Sequence, residues 1–167
     1  MPFTPVHMGP GILLKAVLQG SFSLMVFGWT QIVMDIQPLL VMLIGEGHLH
    51  GFTHTFVGAS LIAVVAALSG KYLSELGLRL LRITEYQSIN IKWSVAYLSA
   101  FIGSFSHVIL DGIMHNDLAP YYPFFSTNHF LGMVTISELH QLCLYSGLIG
   151  AALFFCIQWL RKLRNKL

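Results

Sequence analysis

Four long apolar runs are the feature that most limits how this chain can fold. They lie at about residues 21–44, 52–69, 91–110 and 139–160. Asp35, Gln37 and Pro38 interrupt the first run. A helix of about 20 mostly apolar residues crosses a bilayer, and lipid requires spanning segments to be helices or a closed barrel. Since these runs are too long and too uniformly apolar for barrel strands, we predict an all-α polytopic bundle of about four membrane helices.

The composition agrees with a membrane location. Of the 167 residues, 55% are hydrophobic and only 10% are charged, whereas about a quarter are charged in soluble domains. The N-terminus, MPFTPVHMGPG, lacks the basic region and apolar run of a signal peptide. At this length we expect a single membrane-embedded domain over residues 1–167. Cys143 and Cys156 match no metal-binding spacing and are interpreted as packing residues.

The basic residues are sorted along the chain and predict its orientation. Four flank or occupy the connection between the second and third runs, and four form the C-terminal tail. They are Lys71, Arg79, Arg82 and Lys92, then Arg161, Lys162, Arg164 and Lys166. The positive-inside rule places both groups in the cytoplasm. The other two connections then face the opposite side of the membrane.

Histidines and most acids fall on that opposite, outer side. The group contains all eight histidines and five of the seven acids: His7, His48, His50, His54, His107, His115, His129, His140, Asp35, Glu46, Asp111, Asp117 and Glu138. Because the predicted orientation depends on Lys and Arg alone, this clustering is a separate observation. It indicates that ionisable side chains from several segments converge on one end of the bundle.

Three shorter elements complete the predicted architecture. A single straight helix from residue 8 to 35 would separate His7 from Asp35 by about 40 Å. We prefer a hairpin of residues 11–18 and 22–35, turning at residues 19–21, which returns Asp35 to the level of His7. It would direct Lys15 toward the polar depth or the cytoplasmic surface. Residues 70–90 predict a short amphipathic helix on the cytoplasmic leaflet, and residues 118–127 predict an aromatic interfacial loop or lid.

The stretch SHVILDGIMHND carries the strongest chemical signal. Its His107, Asp111 and His115 are four residues apart and share one helix face if the helix continues past Gly112. His50 and His54 repeat this spacing, and Asp35 adds a carboxylate at the same depth. Such pairs offer two ligands to one metal. Imidazole and carboxylate ligands favour zinc, or manganese or iron, and the absence of Cys from this group argues against a soft metal.

A proton or ion pathway would also place His and Asp along membrane helices. Such a pathway should continue across the bilayer. Residues 59–68, 95–102 and 149–157 contain no charged residue and no histidine. Ionisable groups in membrane segments are costly and tend to be functional, so their confinement to one end favours a metal site facing the interface.

Several motifs resemble those of a known family. FTPVHMGPGILLKA, MDIQPLL, LHGFTHTFVGA and SHVILDGIMH with its Pro-aromatic continuation resemble the membrane-bound metal-dependent hydrolases, the YdjM-like inner-membrane proteins that include LexA-binding members. The likeness runs from His7 to about His140. It implies a small protein of the bacterial inner membrane, remotely similar to zinc-dependent phospholipase C. By motif, the implied metal ligands are His7, Asp35, His54, His107 and Asp111.

Two positions depart from the family pattern. The commoner form has His and Arg before Gly-Phe-Thr-His, where this chain has Leu49 and His50. A second acid often follows Asp35, where this chain has Gln37.

Together these observations predict a membrane hydrolase that uses one or two divalent metal ions. The ligands would be His7, Asp35, His50, His54, His107 and Asp111. His115, Glu138 or His140 would orient a ligand, act as an additional ligand or serve as the general acid/base. Asp117 and Glu46 are expected to be solvated. The substrate would be a membrane lipid or lipid-linked ester or phosphoester at the outer interface. The alternatives are a metal-binding transport, sensing or partner-regulating protein, and no nucleic-acid role is indicated.

Overall fold

The computed structural model describes residues 4–81 and 89–165, with side chains described from Val6 onward. It is helical, and the described residues contain no strand. The helices are α1 Thr4–Leu18, α2 Leu24–Met34, α3 Ile36–Ile44, α4 Phe56–Leu80, α5 Trp93–Met114 and α6 Ile136–Arg164. The all-α prediction is therefore confirmed.

Four segments of the described chain are long and apolar enough to cross a membrane. They are Leu24–Ile44, which combines α2 and α3, then Phe56–Leu80, Trp93–Met114 and Ile136–Arg164. Many of their apolar side chains are exposed, as on α6, where Leu148 is 59% and Phe155 61% exposed. Exposed apolar faces on long helices suit lipid contact. The four predicted spans are confirmed as helices long and apolar enough to cross a membrane.

The N-terminal hairpin is also confirmed. α1 ends at Leu18, a 3-10 turn covers Gln19–Ser21, and α2 begins after Ser23, whose Oγ accepts the Val26 N–H at 3.3 Å. Lys15 is buried in this turn, where its Nζ donates to the carbonyl oxygens of Gln19 and Phe22, both at 2.8 Å. Because two carbonyls satisfy the buried ammonium group, Lys15 closes the hairpin.

Small side chains allow the helices to approach closely. α2, α4 and α5 pack together around Val26 and several alanines, including Ala63 and Ala100. α1 packs against α6, where a Cβ on Gly150 would lie 2.5 Å from the backbone of Leu13. Small residues at helix contacts are typical of membrane bundles, in which close van der Waals packing drives association.

The predicted cytoplasmic amphipathic helix is not a separate element in its described part. α4 continues to Leu80, so residues 71–80 form the last turns of the second span. Gly70 lies inside this helix, where the absence of a Cβ leaves room for the Trp29 ring. Glu75 accepts hydrogen bonds from Lys71 and, at 2.9 Å, from the Ile91 N–H, which ties the end of α4 to the start of α5. Residues 82–88 of the predicted helix lie outside the described residues.

The other end of this helix pair, where α4 begins and α5 ends, is covered by the connection between α5 and α6. The Phe56 N–H at the start of α4 donates to Pro120 O at 2.8 Å. Leu118 is buried beneath this connection, whereas Tyr122, Phe124 and Phe125 are exposed. The predicted aromatic loop is therefore present, and it lies beside the end of the bundle at which α4 begins and α5 ends.

Candidate metal centre

Four ionisable side chains converge where these segments meet. Asp35 lies between α2 and α3, His54 lies in the 3-10 turn Phe52–His54, and His107 and Asp111 lie one turn apart on α5. One ligand atom from each residue lies within 4.8 Å of the others. The three segments that were separated in sequence thus meet at one point, as the charge pattern predicts.

The distances within this group suit a single cation. His107 Nε2 lies 3.1 Å from Asp111 Oδ2 and 3.3 Å from Asp35 Oδ1, and His54 Nε2 lies 3.4 Å from Asp111 Oδ2. Donor atoms bound at about 2.0–2.2 Å to one ion lie about 3.0–3.5 Å apart in octahedral or tetrahedral geometry. The observed separations match that range.

His7 joins the group from α1. Its Nε2 lies 3.6 Å from Asp111 Oδ1, the carboxylate oxygen that does not face His54 and His107. Its ring meets the His107 ring edge-on, with centroids 4.9 Å apart. Asp111 therefore presents one oxygen to His54 and His107 and the other to His7. We define these five residues, His7, Asp35, His54, His107 and Asp111, as the inner cluster.

The inner cluster contains buried polar atoms that lack hydrogen-bond partners. Among the described residues, these include the Nε2 atoms of His7, His54 and His107, and Oδ1 of Asp111. Leaving a buried polar atom unpaired costs about 1–3 kcal/mol, so four in one place need a common explanation. A cation bound among them would satisfy all of these atoms at once, and the donor set therefore fits a divalent metal.

Neighbouring polar side chains orient the two most buried imidazoles. Gln31 donates its amide N–H to Gly103 O at 3.0 Å, which turns its carbonyl Oε1 toward His107 Nδ1 at 2.8 Å. With Gln31 Oε1 as the acceptor, His107 donates from Nδ1, and the neutral ring then has its Nε2 lone pair directed into the cluster. Such outer hydrogen bonds fix the tautomer and ring orientation of metal-binding histidines.

His54 is held in the same way. Its Nδ1 lies 3.0 Å from the Thr53 hydroxyl, and that hydroxyl donates to Gln37 Oε1. Because the hydroxyl proton is used by Gln37, Thr53 accepts the Nδ1 proton of His54, and Nε2 again faces the cluster. Gln37 thus positions the His54 ring through Thr53.

His115 does not continue the helical stripe. α5 ends at Met114, and His115 is extended with φ −112° and ψ 125°. Its ring instead stacks on the His50 ring, with centroids 4.1 Å apart. His50 was predicted as a ligand beside His54, and it does lie next to it, with ring centroids 5.1 Å apart. However, the Nδ1 atom of His50 faces the Asp117 carboxylate.

Asp117, expected to be solvated, is bound to His50. Both carboxylate oxygens lie 3.0 Å from His50 Nδ1, and 41% of the Asp117 side chain is exposed. Partial burial would raise the pKa of Asp117, but the hydrogen bond and charge of His50 lower it overall. We call His50, His115 and Asp117, which also offer ligand atoms within 4.8 Å of one another, the rim cluster.

Two predicted site residues belong to neither cluster. Glu138 is exposed and accepts hydrogen bonds from the N–H and hydroxyl of Thr135 at 2.8 and 2.7 Å, forming a capping box at the start of α6. His140 is exposed and lines an apolar groove between α1 and α6 with Val6 and Gly9. α6 packs mainly against α1, and its first turn contributes the buried Leu139, which packs with Leu110 and Val6.

The orienting residues Gln31, Thr53 and Gln37 are absent from the sequence-based predictions. Gln31 was detectable, since a buried amide inside an apolar run is costly, and it lies one helical turn before Asp35. Thr53 and Gln37 carry no comparable signal, because their contact depends on how the turn before α4 meets α3.

No protein-family model matches the chain, and neither the curated proteins nor the solved structures give a match. The fold and site by themselves define a helical bundle with four helices long and apolar enough to cross a membrane, and with a buried His/Asp cluster that could hold a metal ion.

Proposed function

We propose that this protein is an integral membrane metal-dependent hydrolase that cleaves an ester or phosphoester of a lipid or lipid-linked substrate. The inner cluster is the observation that carries the proposal. It combines three imidazoles and two carboxylates at ligand spacing, and several of their buried nitrogen and oxygen atoms have no hydrogen bond. The resemblance to the YdjM-like metal-dependent hydrolases supports the same conclusion from the sequence.

The inner cluster is suited to catalysis because one side is open. His54 and His107 are fully buried, whereas 28% of the Asp35 side chain is exposed. A divalent ion held here, zinc or else manganese or iron, would lower the pKa of bound water toward neutrality and polarise an ester or phosphoryl oxygen. Asp35 would lie at the opening through which substrate approaches, and Asp111 would hold α1 and the turn before α4 around the centre.

A lipid substrate is supported by the surface around that opening. α3 starts directly after Asp35 and exposes Leu39, Leu43 and Ile44. The loop after α5 exposes Phe124 and Phe125 near the same end of the bundle. Apolar side chains beside a polar site suit a molecule with an acyl chain and a polar headgroup.

The orientation is part of the proposal. The inner cluster lies at the end of the bundle where α4 begins and α5 ends. Lys71 and Arg79 lie toward the other end of α4, and Arg161 lies near the end of α6. The positive-inside rule then favours a cytoplasmic C-terminus and a site at the periplasmic or extracellular face of a bacterial inner membrane.

The test is metal analysis followed by a substrate screen on the untagged protein in detergent. Phospholipids, a chromogenic phosphodiester and chromogenic esters are assayed with and without chelator. We expect turnover that chelator removes, that zinc or manganese restores, and that Asp111→Asn abolishes. His48→Gln is the matched control, because His48 is exposed and lies outside both clusters. Protein that holds metal but hydrolyses none of these substrates would instead support metal transport, sensing or partner regulation.

A further inference from the structure

We infer that the rim cluster is a second divalent-cation site, separate from the inner cluster and next to it. His50, His115 and Asp117 would each contribute one ligand atom, and these atoms lie within 4.8 Å of one another. This inference concerns how many ions the protein holds, and it does not depend on hydrolysis.

Hydrogen bonding alone leaves part of the rim cluster unexplained. The bond between His50 Nδ1 and Asp117 satisfies those two groups. It does not satisfy His115 Nε2, which is buried and has no hydrogen-bond partner in the described structure. Stacking on His50 gives the His115 ring a contact but gives its nitrogen none. An ion shared by the three residues would give every one of these donor atoms a partner.

The turn that carries two of these ligands is held in place. Asn128 donates its side-chain N–H groups to the carbonyl oxygens of Gly112 and His115, at 2.8 and 3.2 Å. The Gly132 N–H also donates to Ile113 O at 3.1 Å. The end of α5 is therefore clamped by a segment more than ten residues further along the chain. This clamp presents His115 and Asp117 to the buried His50 ring.

The ligand chemistry selects the kind of ion. Two imidazoles and one carboxylate suit zinc and neighbouring first-row divalent metals, whereas calcium and magnesium prefer oxygen ligands alone. Three protein ligands also leave coordination positions open. Because Asp117 is 41% exposed, ions at the rim cluster should exchange with solvent more readily than ions at the inner cluster.

The experiment counts zinc in the full-length, untagged protein. Protein in detergent is stripped with chelator, dialysed against zinc and then against metal-free buffer, and its zinc per chain is measured by elemental analysis. We expect two zinc ions in the wild type and one in His115→Gln and in Asp117→Asn. His48→Gln should keep two. A competing chelator should remove the rim ion first, and this early step should be missing in both rim variants.

A single zinc ion in the wild type would overturn the inference, as would a second ion that survives in both rim variants and is therefore adventitious. Asp117→Asn changes an exposed side chain, so it guards against misfolding, and circular dichroism checks both variants. Two ions without hydrolysis would leave the second site standing and contradict only the proposed function. One zinc ion together with hydrolysis would overturn the second site and leave the proposed function standing.

Discussion

The two clusters use the same kinds of side chain but are assembled differently. They are neighbours, with the His50 and His54 rings 5.1 Å apart. The inner cluster takes two residues from successive turns of α5 and is supported by Gln31 and Thr53. The rim cluster takes its ligands from non-helical segments, and the turn that carries two of them is fixed by Asn128. Helical spacing and burial thus produce one centre, and a clamped turn at the surface produces the other.

Paired aspartate variants should separate the two clusters most strongly. Asp111 faces three imidazoles of the inner cluster, so Asp111→Asn should weaken zinc binding there by at least about 100-fold and abolish metal-dependent turnover. Asp117→Asn should remove only the weaker zinc ion. Zinc titration of both variants measures this. Equal zinc affinity in Asp111→Asn and wild type would show that the inner cluster is not the metal site.

Removing an orienting residue should have the next largest effect. Gln31→Leu leaves the His107 Nδ1 proton without its acceptor, so the Nε2 lone pair is less well directed. We expect zinc affinity at the inner cluster to fall by about 10–100-fold, with the rim cluster unchanged. Competition with a calibrated chelator reports both affinities. If the rim ion were lost instead, the assignment of Gln31 to the inner cluster would be wrong.

Loosening the clamp should affect the rim cluster alone. Asn128→Ala removes the bonds to Gly112 and His115, so the turn after α5 gains freedom. Zinc affinity at the rim should decrease by about 10-fold or less, because the ligands themselves remain. The same titration should leave the inner affinity unaltered, and an effect of equal size on both clusters would contradict their independence.

The smallest effect is expected at Glu138. Its carboxylate caps the start of α6, and the side chain is exposed away from both clusters. Glu138→Ala should slightly lower thermal stability through the lost cap, while zinc content and turnover stay the same. Loss of turnover with full zinc content would restore Glu138 to the catalytic role that the sequence predicts for it.

The inner cluster could be predicted from the sequence because it depends mainly on the spacing of residues close together in the chain. The i,i+4 spacing of His107 and Asp111 places them on one helix face wherever α5 lies. The hairpin that returns Asp35 toward His7 followed from the distance limit of a straight helix. The positions of His115 and Glu138 could not be predicted in this way, because they depend on where α5 ends and on how α6 begins.

The sequence by itself determined the class of molecule. Its four long apolar runs predict helices long enough to cross lipid, where an exposed backbone cannot be satisfied, and its histidines and acids lie at the ends of those runs. Only the tertiary structure decided how those histidines divide. His50 pairs with Asp117, His115 leaves the helical stripe, and Gln31 and Thr53 orient the inner imidazoles. These outcomes depend on contacts between residues distant in sequence, which spacing along one helix does not encode.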